Sequence, residues 1–147
     1  MKKNVIISPS LLACDFSKIG DELKRIEDAG AEYIHLDVMD GIFVPNISFG
    51  QPVIKSLRKI SGLVFDVHLM ITDPIRYIDS FADAGADIIT VHLESADNIA
   101  RVLEYIKSKG IKASLSIKPK TPVAELKPYL PLLDMILIMS VEPGFGG

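Results

Sequence analysis

Apolar runs and helical stripes alternate along this chain. Residues 5–12 form a short apolar run interrupted by Ser8, Pro9 and Ser10, read as a first strand. Asp15 or Ser17 then caps a helix with Ile19, Leu23 and Ile26 on one face, stopped by Gly30. The stretch YIHLDVMDGIFVPN, from Tyr33 to Asn46, reads as a second strand running into a loop. Pro52 suits the first turn of the next helix, with Val53, Leu57 and Ile60 facing inward and Gly62 after it. LVFDVHLMI, ADIITVHLE, KASLSIK and MILIMSV are the third to sixth strands. Between them, Asp73-Pro74 opens a helix buried through Ile75, Ile78 and Phe81. A later helix carries Ile99, Val102, Leu103 and Ile106, and a short one starts at Thr121-Pro122 and is expected to end at Pro128. The segments DAGAEYIHLDV and DAGADIITVHL echo each other, with Gly85 falling 55 residues after Gly30, a spacing of two strand–helix units.

Strand–helix alternation predicts a parallel sheet with right-handed crossovers. Two closures compete, an open doubly wound sheet and an eight-stranded barrel. Successive strand side chains face opposite ways, so one face of the second strand carries Tyr33, His35, Asp37 and Met39, and the other Ile34, Leu36 and Val38. The same phase groups Ser8 with Ser10, Asp66 with His68 and Met70, Thr90 with His92 and Glu94, and Ser114 with Ser116 and Lys118. An open parallel sheet is covered by helices on both faces and is apolar on both. One polar and one apolar face therefore predict an α/β fold of the (β/α)8 TIM-barrel class, helices outside and a polar lumen within. Such a barrel takes eight strands and ~250 residues. Residues 1–147 are thus expected to be a single partial TIM-barrel domain of six β/α units, truncated in the loop after the sixth strand.

Composition changes this picture little. Hydrophobic residues make up 48% of the 147, enough for a sizeable core, and the net charge of -3 offers no basic field for nucleic acid or anionic lipid. One cysteine, Cys14, excludes an internal disulfide, fits a reducing compartment and reads as an ordinary buried or half-buried thiol sooner than as a nucleophile. The N-terminal stretch does not read as a secretion leader, and no apolar run approaches the ~20 residues of a membrane span. A soluble cytoplasmic protein is expected.

The chemistry gathers where barrel active sites lie, at the C-terminal ends of the strands. His35, Asp37 and His68 come from adjacent strands on the lumen side. Two imidazoles and a carboxylate suit zinc, iron, manganese or cobalt, and equally a hydrogen-bonded polar cluster. His92 fits the same face one strand further on and reads as a supporting histidine. Asp37 is also the best candidate for a general base, a role compatible with metal ligation. Met39, Met70 and Met139 share the lumen phase near the mouth, as core filler or as an apolar floor for a reactive intermediate. The glycine-rich Pro143–Gly147 could cradle a phosphate through its backbone N–H groups. Ile42, Phe43 and Val44 make the loop after the second strand either a lid or subunit contact, or a loop folded on its own barrel.

Taken together, the stretches ISPSLL, HLDVMDGIFVPNISFG, DVHLMITDPIRYI, AGADIITVH and LIMSVEPGFGG resemble the ribulose-phosphate 3-epimerase family, in the right order from Ile7 to Gly147. The resemblance implies a (β/α)8 barrel that interconverts D-ribulose 5-phosphate and D-xylulose 5-phosphate at C3 through an enediolate, in the pentose phosphate pathway. It implies one divalent metal ion held by His35, Asp37 and His68, with Asp37 one of two acid/base aspartates. It further implies Ser10 as a substrate contact, Met39, Met70 and Met139 as a shield over the intermediate, and Gly144, Phe145, Gly146 and Gly147 around the phosphate. The second acid/base aspartate, also a metal ligand, belongs to a seventh strand and lies beyond Gly147. Lys118 stands where the family often has asparagine. A small-molecule ketose phosphate is the implied partner; the apolar loop of Ile42, Phe43 and Val44 separately points to a homo-oligomer. The alternatives are a related substrate such as allulose 6-phosphate, and a non-catalytic partial barrel.

Overall fold

The computed structural model describes residues 5–145. Five strands, β1 (Tyr33–Met39), β2 (Val64–Met70), β3 (Ile88–His92), β4 (Lys112–Ile117) and β5 (Met135–Ile138), form one sheet in sequential order. Every neighbouring pair is parallel. Right-handed crossovers between strands in sequential order all fall on one side of the sheet, so the helices share one face. This is an α/β fold with the architecture of part of a TIM barrel.

The helices are α1 (Ile19–Asp28), α2 (Gln51–Arg58), α3 (Ile78–Ala84) and α4 (Ile99–Ser108). Their apolar stripes meet the outward-facing strand residues in one continuous core, in which Ile34, Leu36, Phe65, Val67, Ile89 and Leu115 are fully buried. The repeated Asp-Ala-Gly segment has a structural reason. Gly30 and Gly85 both take positive φ where α1 and α3 end, the left-handed turn that glycine adopts without steric cost. At Gly85 a Cβ would also meet the Arg58 side chain.

Several expectations are corrected. Residues 5–12 do not form a strand of the sheet. They run beside β1 in extended conformation, with the N–H groups of Tyr33 and His35 donating to the carbonyls of Ile7 and Pro9 and a parallel bridge from Ser10 to His35. Pro9 has no N–H to return, and Ser10 caps the 3-10 turn Leu11–Ala13, which ends the extended run. Among the described residues the sheet therefore shows five strands, where six were expected.

Lys118 lies beyond β4, and Glu94 lies on the 3-10 turn Leu93–Ser95 that follows β3. In α2, Ile54 is buried and Ile60 is 56% exposed, because Ile60 falls past the helix end. Asp73 gives α3 no side-chain cap; it sits in the left-handed region before a 3-10 turn, Pro74–Tyr77. The segment after Pro122 does not stop at Pro128 but runs as 3-10 turns over Val123–Leu132, through Pro128 and Pro131. A proline's fixed φ is compatible with 3-10 turns, while its ring and missing N–H forbid a regular α-helix.

Candidate metal centre

The inward face of the sheet is built by reciprocal pairing. His35-x-Asp37 on β1 lies in register beside Asp66-x-His68 on β2, so that His35 stands next to Asp66 and Asp37 next to His68. Two strands with the same spacing and opposite order thus set imidazoles against carboxylates. Each of the four groups is mostly buried, which leaves them to satisfy one another.

Three donor atoms converge. Asp37 Oδ1 is 3.2 Å from His35 Nε2 and 3.0 Å from His68 Nδ1, and the two nitrogens are 3.3 Å apart. Metal–ligand bonds of about 2.0–2.2 Å put neighbouring donors ~3–3.5 Å apart, so this triangle fits one divalent ion. The outer atoms fit as well. His35 Nδ1 is 2.7 Å from Asp66 Oδ2, and His68 Nε2 is 2.8 Å from His92 Nε2. Partners on the far nitrogen orient an imidazole and fix which nitrogen is free to ligate. Asp37 Oδ2 accepts from the Ser10 hydroxyl at 2.6 Å.

Burial disfavours the imidazolium of His35, but the carboxylates of Asp37 and Asp66 outweigh it and raise its pKa to about 10. Burial likewise opposes the charge on Asp37, yet the neighbouring imidazoles of His35 and His68 hold it well below the usual carboxylate range. His68 is pushed down, chiefly by burial. His92 falls to about 3, through burial and the nearby charge of His68. At neutral pH a protonated His35 therefore supplies the positive charge that two neighbouring carboxylates call for. With metal stripped by a chelator, that contribution is fully present below the ordinary histidine value of 6.5 and lost as pH rises through about 10. Melting temperature is expected to fall across that window, and His35→Gln to flatten the dependence. An unchanged slope in the variant would assign the effect to other groups.

A cavity of about 780 Å³ opens over this cluster. Ser10, His35, Asp37, Met39, His68, Met70, Met139, Gly144 and Phe145 all line it. Asp37 is its one carboxylate among the described residues. Met39 and Met70 pack with Val44 into a small apolar cluster that Leu12 and Phe43 adjoin, while Met139, just after β5, lines the same cavity outside that cluster. Gly146 and Gly147 lie outside the described residues. Gly144 has φ 95°, its carbonyl accepts from the Asn46 amide at 2.8 Å, and a Cβ there would come 2.9 Å from Val44 Cβ. The loop after β1 is folded back and pinned. Asp40 accepts the N–H groups of Ile42, Phe43 and Thr72, and Val44 is buried; of the loop's large apolar side chains, Ile42 and Ile47 stand out, 78% and 80% exposed. Cys14 is half-buried, its thiol pushed up by burial and by Glu22.

Sequence reasoning put Asp66 on the inward face without a role. The signal was the matching spacing of His-x-Asp and Asp-x-His, which needs only register to become a contact. Glu94 was likewise placed in a strand and given no chemistry.

The model of the ribulose-phosphate 3 epimerase family matches residues 6–147. Ribulose-phosphate 3-epimerase of Synechocystis sp. is 48% identical over 100% of this chain and 65% of its own length. The Bacillus subtilis enzyme of that name is 47% identical over 96% of this chain and 65% of its own. The chloroplastic ribulose-5-phosphate-3-epimerase of Arabidopsis thaliana is 47% identical, over 99% and 53%. The chain thus spans about two thirds or less of these relatives' length. Among solved structures, 3-deoxy-D-arabino-heptulosonate 7-phosphate synthase from Thermotoga maritima superposes with TM-score 0.63 at 14% identity, covering 91% of this chain and 50% of that one. An HpcH/HpaI aldolase from Desulfitobacterium hafniense gives 0.62 at 14%, over 91% and 62%. At such identity these two speak for the fold alone. Among the described residues no helix is long and apolar enough to cross a membrane. The family match and identities of 47–48% over nearly the whole chain agree with the motifs at the cavity: this chain belongs to the ribulose-phosphate 3-epimerase family.

Proposed function

We propose that the protein carrying this chain is a ribulose-phosphate 3-epimerase, interconverting D-ribulose 5-phosphate and D-xylulose 5-phosphate by proton transfer at C3. The observation that carries this reading is Asp37, ionised between two imidazoles at the base of a cavity with methionines on its walls. His35 Nε2, His68 Nδ1 and Asp37 Oδ1 would hold one divalent metal, whose identity among zinc, iron, manganese and cobalt the donor set leaves open. When bound, the metal supplies positive charge to substrate oxygens that become negative as the C3 proton leaves.

The remaining work falls to the chain's own residues. Asp37 uses Oδ1 as a ligand, and Oδ2, oriented by Ser10, takes the proton. Met39, Met70 and Met139 keep the reacting face dry, so that charge interactions there are not screened by water. Gly144, close against Val44, brings backbone towards the phosphate, and the family resemblance assigns Phe145, Gly146 and Gly147 the same role. The residues 5–12 segment and the five strands are six units of a (β/α)8 barrel. Epimerisation at one carbon also needs an acid/base on the opposite face of the substrate, and the family resemblance assigns it to a seventh strand. Exposed Ile42 and Ile47, on the loop after β1, supply an apolar surface for a second copy, and the cytoplasm is the compartment proposed.

The test is solvent exchange. The metal-loaded protein is expected to wash deuterium from solvent into C3 of ribulose 5-phosphate and to turn over allulose 6-phosphate more slowly. No exchange with any of the four metals present would refute the assignment, and faster turnover of the hexulose would change the substrate.

A further inference from the structure

His92 is fully buried and does not line the cavity. Its Nε2 lies 2.8 Å from Nε2 of His68. Its Nδ1 has no hydrogen-bond partner among the described residues, and Oε2 of Glu94 stands 3.5 Å away. The other Glu94 oxygen accepts the N–H of Lys118 at 2.9 Å and the hydroxyl of Thr121, which fixes the carboxylate on the turn after β3.

Two ring nitrogens at 2.8 Å share one proton, and a neutral imidazole carries one N–H in all. Two arrangements exist. In the first, His68 donates from Nε2 to His92. His68 Nδ1 is then a bare lone pair facing His35 and Asp37, and His92 carries its own proton on Nδ1, towards Glu94. In the second, His92 donates to His68. The His68 proton then sits on Nδ1, where Asp37 Oδ1 accepts it at 3.0 Å, and a bare His92 Nδ1 faces the Glu94 carboxylate. Asp37 draws the proton into the metal position. Glu94 opposes it, because a carboxylate attracts an N–H and repels a lone pair.

We propose that Glu94 is a positioning residue which, through His92, sets the His68 tautomer that leaves Nδ1 free to bind a metal. This rests on the metal reading above, but the tautomer can be read without a metal. Nitrogen-15 NMR of the metal-free full chain is expected to find His68 protonated on Nε2. Glu94→Gln, whose amide can donate to a bare His92 Nδ1, is expected to move that proton towards Nδ1 and to weaken zinc binding about tenfold by calorimetry. Glu94→Asp, which keeps the charge, and Thr121→Val, which removes only the hydroxyl partner, are expected to retain the parent tautomer.

A His68 proton on Nδ1 in the parent would overturn the proposal. So would a Glu94→Gln tautomer equal to the parent's, or a loss in Thr121→Val as large as in Glu94→Gln. If the parent binds no zinc, cobalt, iron or manganese, the metal reading fails, and the NMR comparison still decides whether Glu94 sets the tautomer.

Discussion

Asp37→Asn is expected to slow C3 exchange by ~10²–10⁴-fold or more, the range that removing a general acid–base costs. The substitution is nearly isosteric. An asparagine oxygen can still accept from Ser10, so the cavity keeps its shape. What is lost is the charge, which serves twice: as the base and as the single carboxylate of the donor triangle. Metal affinity is therefore expected to fall together with turnover. Measuring both separates the two roles, because excess metal restores ligation but not proton transfer. Exchange within about tenfold of the parent at saturating metal would remove Asp37 from the proton path.

Phe65→Ala is expected to cost ~3–5 kcal/mol of stability, the usual range for emptying a buried phenyl site. Phe65 is 0% exposed on the outward face of β2, paired in register with Ile34. The Arg58 guanidinium from α2 lies 3.8 Å from its ring centroid. Arg58 also pairs with Asp87, whose carboxylate accepts the Phe65 N–H at 2.7 Å, so the ring and the backbone are held by one cluster. A domain's whole stability is about 5–15 kcal/mol, so the variant is expected to be marginal, with a melting temperature lower by ~10 °C or more. Val123→Ala, at a position 63% exposed, is the control and is expected to shift little. A small effect at Phe65 would mean that the helix layer is not closed over the sheet as described.

The alternation of apolar and polar residues made much of this protein legible from one sequence. A strand repeats its facing every two residues, and an amphipathic helix buries a stripe every three or four. Hence His35, Asp37 and Met39 were grouped correctly, as were Asp66, His68 and Met70, and the buried residues of α4 were named in full. Polar character on one strand face only was enough to choose a barrel over a doubly wound sheet, because helices then cover a single side.

Periodicity within a strand carries no information about the strand beside it. Register does, and register is set by packing of the outward residues against the helices. Only in the folded chain does Asp66 meet His35, His68 meet Asp37, and His92 close on His68 at 2.8 Å. Element ends were hidden for a related reason. β3 stops at His92, whose carbonyl accepts the Ser95 hydroxyl of the following turn, and that turn carries Glu94 out of the sheet and towards Lys118 and Thr121. Residues 5–12 look like a strand by composition yet reach the sheet through only a few backbone bonds, since Pro9 and the Ser10 cap end the run. Within each strand the sequence alone determined which residues face the lumen, because that depends on chain geometry within one strand. Which of them touch, and so which nitrogen and oxygen atoms form a metal site, depends on distances between strands that exist only once the helices have packed.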